Sequence, residues 1–421
     1  MVSPNPAVSA APVYRLAIAC QGGGALTAFQ AGVLGQLLAA SRYDAAGRRV
    51  LVDLPPLGDD IAGRDGRATY ELVGLSGTSG GAMNAAICWT ACNDGQPEDT
   101  AARLGRFWEA MVARPEDLGF TGMWFNLASL FCLDLLNGWW QPDFNPEDWP
   151  AAHQAQEGFT KLIRGHIPLP PPVAAGEGCR TALYVGAAEV RSGSFALFAN
   201  NGATRGDDIA GPVTVEALTA SAAIPWIYPA VELPLAKSMA RTLQRAAARR
   251  LGESPGDAAA RQDWQGLDVH RGAYWDGLFS ENPPLWPFLR GHPSRHSKAQ
   301  RILILRANPH VIPVAPRSAA EVDDRRNELE GNLSLEQEIR GIHAVNKCLA
   351  LAGDQGSPAL TERYQRVEVF ELDLPWSLHR ELRADAKMRR TPGFIHGLLQ
   401  GGQGLGATFL AGATRAEQRT K

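Results

Sequence analysis

The sequence predicts an α/β protein: a three-layer α/β/α sandwich around a mostly parallel sheet. Three observations carry that expectation. Residues 14–20 are β-competent and run through Gly22, Gly23 and Gly24 into residues 25–40, where Leu26, Phe29, Val33, Leu34, Leu37 and Leu38 recur at helical spacing. Residues 71–75 form a second apolar strand, which passes through Gly77 to Gly81 into a helix of small residues at 80–92, suited to close packing on a sheet. Strand-like and helix-like stretches then continue to alternate, an order that builds parallel strands with helices on both faces.

The remaining elements follow in chain order. Residues 44–69 are polar, rich in Gly and Asp, and read as an exposed excursion; 104–112 read as a helix, and 116–150 as an aromatic, irregular stretch. Residues 181–190 and 194–199 flank Arg191-Ser192-Gly193 as a β-hairpin. A short helix at 215–223 stops at Pro225, and the Ala/Arg-rich segment 235–261 reads as a polar helical insertion or excursion. Strands are expected at 272–275, 301–305 and 367–374. Leu333, Leu335, Ile339, Ile342, Val345 and Leu349 give 329–351 the pattern of a long helix. No internal repeat or clean linker divides the chain. One domain is expected over 14–310, with 311–400 packed on it as a C-terminal extension and 1–13 and the Gly-rich 401–421 as flexible tails.

Composition narrows the function. Of 421 residues, 45% are apolar and 20% charged, with a net charge of -3 and no clustered basic face, which argues against a nucleic-acid partner. The six cysteines are scattered without a Cys-x-x-Cys pair and read as reduced thiols of a cytoplasmic protein; Cys88 and Cys92 read as small hydrophobes on one helix face. The best membrane-span candidate, 119–140, is interrupted by Asn126, Asp134 and Asn137. No His, Asp or Cys cluster has ligand spacing, so neither a metal nor a cofactor is expected.

The chemistry lies in three short patterns. Gly77-Thr78-Ser79-Gly80-Gly81 is a Gly-x-Ser-x-Gly turn between strand and helix. Its glycines permit a sharp turn that exposes the serine oxygen, and the amide after the serine and the helix N-terminus stabilise an oxyanion. The pattern also occurs at Gly252-Glu253-Ser254-Pro255-Gly256, but Pro255 has no amide hydrogen to donate and no strand precedes it, so Ser254 reads as a surface residue. The run Gly22, Gly23 and Gly24 offers consecutive backbone amides for an oxyanion hole; it lacks the acidic partner of a dinucleotide turn and the Gly-Lys-Ser/Thr of a phosphate loop. Tyr274-Trp275-Asp276-Gly277 puts a carboxylate at a strand end, where burial beside Ser79 would raise its basicity; read alone, Asp276-Gly277 is equally an ordinary turn. A histidine base remains the competitor, with His270, His292, His296, His310, His343, His379 and His396 as candidates in no recognisable strand-end context.

Together these residues resemble the patatin-like phospholipase family. Its glycine-rich loop is matched by Gly22, Gly23 and Gly24, its Gly-x-Ser-x-Gly by Gly77 to Gly81, and its Asp-Gly motif by Asp276 and Gly277. Ala220-Ser221-Ala222-Ala223-Ile224-Pro225 and Asn282-Pro283-Pro284 are similar to segments that flank the aspartate in this family. Leu26 and Thr27 stand where the family loop carries a cation and a glycine, and Leu278 where it carries a small residue.

The resemblance implies a serine carboxylic-ester hydrolase of acyl lipids, phospholipase A-like or lysophospholipase-like. Ser79 would be the nucleophile, Asp276 the base, and Gly22, Gly23, Gly24 and Gly80 the oxyanion hole. An acyltransferase using the same dyad and a non-catalytic lipid-binding protein are the alternatives. The aromatic stretch 124–140 reads first as ordinary packing. Were it exposed, it would suit a lid or a peripheral membrane contact.

Overall fold

The computed structural model describes residues 13–39, 41–44, 48–58, 66–94, 99–117, 119–136, 146–169, 181–200, 209–225, 227–253, 264–290, 298–352, 364–379, 382 and 384–420. Its strands are β1 (Val13–Cys20), β2 (Ser41–Tyr43), β3 (Arg49–Leu54), β4 (Ala68–Gly77), β5 (Ala182–Glu189), β6 (Ser194–Asn200), β7 (Ile209–Gly211), β8 (Val231–Pro234), β9 (Arg271–Asp276), β10 (Arg301–Leu305), β11 (Glu368–Leu372) and β12 (Glu417–Gln418). Its helices are α1 (Ala28–Ala39), α2 (Gly80–Asn93), α3 (Thr100–Met111), α4 (Met123–Leu136), α5 (Pro150–His166), α6 (Val215–Ser221), α7 (Lys237–Glu253), α8 (Trp286–Arg290), α9 (Ala319–Ala352), α10 (Trp376–His379) and α11 (Pro392–Leu410).

The centre of the sheet is parallel, in the order β11-β10-β1-β4-β5. Side chains of a strand alternate between faces, and both faces are apolar here. Leu16, Ile18 and Cys20 of β1, with Leu303 and Leu305 of β10, enter the core built with α1, α2 and α3. Ala17 and Ala19, with Ile302 and Ile304, enter a second core with α8 and with Leu335, Ile339 and Ile342 of α9. Two cores on one sheet make the three layers.

One local arrangement positions the site. β4 and β9 both lie against the same side of β5, β4 parallel along its first half and β9 antiparallel along its second. Gly77, at the end of β4, pairs with Val185; Asp276, at the end of β9, pairs with Ala187. The ends of the two strands therefore point at each other across two residues of β5.

Several sequence expectations need correction. The excursion at 44–69 contains β3, which pairs antiparallel with β4. The irregular stretch contains the helix α4; its residues 137–140 lie outside the described residues, as do Ser254, His292, His296 and the tail 1–12. The tail after Gly401 is not frayed. Its glycines from 401 to 406 lie within α11, which packs lengthwise on α1, and a Cβ at Gly402 would collide with the Phe29 carbonyl. Bare backbone there permits close helix contact, and beyond it β12 pairs with β11. Among the described residues no helix is long and apolar enough to cross a membrane.

Candidate active site

Ser79 sits at the junction of β4 and α2 with φ 55° and ψ -129°. That is a left-handed backbone conformation that a non-glycine residue adopts only when its surroundings impose it, at a cost of roughly 1–3 kcal/mol. The surroundings here are specific. The Ser79 amide donates to Ser221 Oγ (3.0 Å), and Ser221 Oγ donates in turn to the Gly186 carbonyl of β5 (2.7 Å). Thr78 Oγ1 donates to the Glu281 carbonyl (2.6 Å). The elbow is thereby tied to the sheet and to the segment after β9.

The glycines of the elbow and of the first turn face each other. A Cβ at Gly80 would strike Thr27 Oγ1, and one at Gly81 the Cys20 carbonyl. Gly24 has φ 54°, the left-handed region that favours glycine, and a Cβ there would strike the Lys387 carbonyl. Asn84 Nδ2 donates to the Thr27 carbonyl (2.8 Å) and holds α2 against this turn. Among the described residues the amides of Gly23, Gly24 and Gly80 donate to no protein acceptor. The Gly22 amide is different: it donates to Asn282 Oδ1 (2.6 Å), so it supports the turn and is not free to bind an oxyanion.

Asp276 is buried, 1% exposed. Its amide donates to the Ala223 carbonyl (2.9 Å), and its Oδ1 accepts from the Leu278 amide (2.8 Å). Burial pushes its carboxyl up to about 7, against the Leu278 amide, the Ser79 hydroxyl and the Lys387 charge, which all favour the ionised form. The carboxyl is thus poised near neutrality, with the Ser79 hydroxyl among the groups that favour its charged form. The segment Ala220 to Pro225 serves both partners, Ser221 holding the serine backbone and Ala223 the aspartate backbone.

Ser79, Gly24 and Gly80 open onto a cavity walled mostly by apolar groups, among them Met83, Phe107, Trp108, Phe120 and Tyr228. Lys387 and Arg390 supply its charged positions. Arg390 is committed to structure: it stacks on Phe120 (4.0 Å to the ring centroid) and donates to the carbonyls of Met111 (3.3 Å) and Phe120 (2.5 Å). No histidine lines this cavity among the described residues.

A profile of the family described as patatin-like phospholipase matches residues 18–289. The chain belongs to the patatin-like phospholipase family. Membership places it among lipid hydrolases as a class. No curated protein matches the chain. Among solved structures, VipD from Legionella pneumophila aligns at 11% identity with a TM-score of 0.35, over 95% of this chain and 67% of its own.

The patatin-like match contains Ser79, Asp276 and all the glycines of the site, but not the whole cavity. Lys387, Met388 and Arg390 come from the segment before α11, beyond the matched residues. Sequence reasoning did not find Lys387, because nothing near it in the chain marks it; only the tertiary contact with Gly24 brings it in. Ser221 and Asn282 were visible as parts of familiar segments, while the hydrogen bonds that give them a purpose were not.

Proposed function

We propose that the protein hydrolyses fatty-acyl esters of lipids with a Ser79–Asp276 dyad. The observation that carries this reading is the strained Ser79, in the lining of an apolar cavity, brought by the pairing of β4 and β9 with β5 toward a buried carboxyl raised to about 7. A base with that affinity for protons is half ionised at neutral pH and strong enough to accept a serine proton as attack proceeds.

In the first half-reaction Ser79 Oγ attacks the ester carbonyl carbon and its proton passes to Asp276. The oxygen that becomes negative lies against the amides of Gly23, Gly24 and Gly80, the three that lack protein acceptors. Each such donor is worth about 2.7–4 kcal/mol at the transition state. Collapse of the tetrahedral adduct breaks the bond to the alcohol, which takes the proton from Asp276. In the second half Asp276 removes a proton from water as it attacks the acyl-serine carbonyl; the acyl–Oγ bond then breaks, Ser79 Oγ takes the proton back from Asp276, and the fatty acid leaves. The acyl chain fits the apolar wall of Met83, Phe107, Trp108 and Phe120.

Lipid substrates lie in a bilayer, and α4 supports a peripheral contact with it. Trp124 is 77% exposed and Leu127 46% exposed, on the helix whose Asn126 is tied to the wall segment through the Met388 carbonyl (2.6 Å). Exposed aromatics suit the membrane interface.

The test is hydrolysis of a p-nitrophenyl acyl ester and of phospholipid vesicles by the wild type, Ser79→Ala and Asp276→Asn. Loss of both activities in both folded variants is expected. Full activity in Asp276→Asn would remove the dyad and return the base to a histidine.

A further inference from the structure

The wall segment Ala384–Met388 is a short 3-10 turn fixed from three sides. The Lys387 carbonyl lies against Gly24. The Met388 carbonyl accepts from Asn126 Nδ2, the Arg390 amide donates to Asn126 Oδ1 (3.2 Å), and the Arg390 carbonyl accepts from the Ala113 amide (2.7 Å). This clamp delivers the half-buried Lys387 side chain to the cavity beside Ser79, Gly24 and Gly80, where its Nζ donates to Asn327 Oδ1 of α9.

The charges around Lys387 are unequal. From α9 it feels Glu328, Glu330 and Asp324, and from β9 it feels Asp276. Glu328 is already engaged by Arg325 (2.9 Å) and His379 (2.8 Å), and Glu330 lies near Arg326 (3.7 Å). On the wall segment itself, Asp385 pairs with Arg389 (2.7 Å). Asp276 has no ion-pair partner among the described residues, and the tether carries the ammonium to its flank: Asn327 lies one turn before Gly331, whose backbone packs on Leu278, the residue whose amide donates to Asp276. The Lys387 charge favours the ionised carboxylate there.

We propose that Lys387 is a positioning residue of the dyad, its tethered ammonium keeping the Asp276 carboxylate in the charged form that accepts the Ser79 proton at neutral pH. The proposal rests on the dyad reading above. Burial at the cavity wall brings the ammonium down to about 8, so it is still charged through the range in which Asp276 ionises. An opposite charge favours the ionised carboxylate, so its removal moves the midpoint of ionisation upward.

The experiment is the pH profile of kcat/KM on a soluble p-nitrophenyl ester for the full-length wild type, Lys387→Met, Lys387→Gln and Lys387→Arg, with melting curves alongside. In both neutral variants the acid limb is expected to move about one unit to higher pH, giving about a tenfold loss below the midpoint and near-wild-type rates on the alkaline plateau. Lys387→Arg should restore the wild-type profile. A loss that is uniform across pH, or an unmoved acid limb, overturns the proposal. So does failure of both neutral variants to melt cooperatively, which would make residue 387 a structural ion. The underlying reading is judged separately: if Asp276→Asn keeps full activity, the dyad itself falls. If Ser79→Ala and Asp276→Asn are dead while the limb stays in place, only Lys387 is refuted.

Discussion

Replacing Ser221 by alanine tests how the elbow is held. Ser221 is fully buried, and its single hydroxyl accepts from the Ser79 amide and donates to the Gly186 carbonyl. Alanine removes both bonds and leaves one donor and one acceptor without partners in a site too tight to admit a replacement. An orphaned buried polar group costs about 1–3 kcal/mol, so with two of them Ser221→Ala should lose about 2–6 kcal/mol of stability. The catalytic effect follows from the same bond. Ser79 holds φ 55° only because its neighbours impose it. Without the anchor the strained residue relaxes toward an ordinary conformation, and Oγ moves away from Asp276. A displacement of the order of 1 Å costs about a hundredfold in rate. Urea unfolding gives the first quantity, and kcat on a p-nitrophenyl ester the second. The control is Ser280→Ala, which removes another buried hydroxyl near β9, bonded to the Gly277 carbonyl (3.1 Å), without touching the elbow. Ser221→Ala at wild-type kcat, or with a stability loss no greater than the control's, would refute the argument that this hydroxyl holds the nucleophile.

Four further outcomes are expected. Activity should rise with pH through about 7 as Asp276 ionises, read from kcat/KM between pH 5 and 9. The same group acts oppositely on stability. Its carboxyl is raised on folding, so its stabilising effect is complete below its ordinary range and lost as pH rises through about 7; Asp276→Asn should therefore melt above wild type at pH 8 and near it at pH 4. Gly24→Ala puts a Cβ into the Lys387 carbonyl at a left-handed position and should reduce activity at least about a hundredfold by displacing the turn, measured as kcat in protein that still melts cooperatively. Trp124→Ala should leave hydrolysis of a soluble ester unchanged while weakening vesicle binding in a sedimentation assay, because the indole is exposed and away from the cavity wall.

The legible parts of the sequence were those in which the pattern and its cause lie within a few residues. The glycine turn, the Ser79 elbow, the Asp276 strand end and the 181–199 hairpin are of this kind. The segment read as frayed shows the opposite case. The glycines at 402 and 406 look like flexibility in isolation, and become close-packing positions only when the facing α1 backbone is known. α9 starts ten residues before the 329–351 stretch that its apolar spacing marks. Ser318 Oγ accepts from the Glu321 amide (3.3 Å), and Glu321 accepts from the amides of Arg317 and Ser318, a capping box fifteen residues ahead of the first residue of the apolar stripe, Leu333. The charged first turns of that helix concealed it. Gly22 shows a finer limit: three consecutive glycines look equivalent, and the Asn282 side chain, about 260 positions away, takes one amide out of use.

Val185 and Ala187 of β5 work as a ruler. The nucleophile follows the end of one strand and the base ends another, far apart in sequence, yet both strand ends are set by rungs of the same third strand. Two rungs span about 7 Å, and the length of the loops that connect the strands does not set that spacing. Apart from the Ala220–Pro225 segment that holds both backbones, loops between β4 and β9 can lengthen, shorten or acquire new surfaces without altering the reach from Oγ to carboxylate. A single-residue insertion between Val185 and Ala187 would change it at once, in a protein whose layers and cores could otherwise persist.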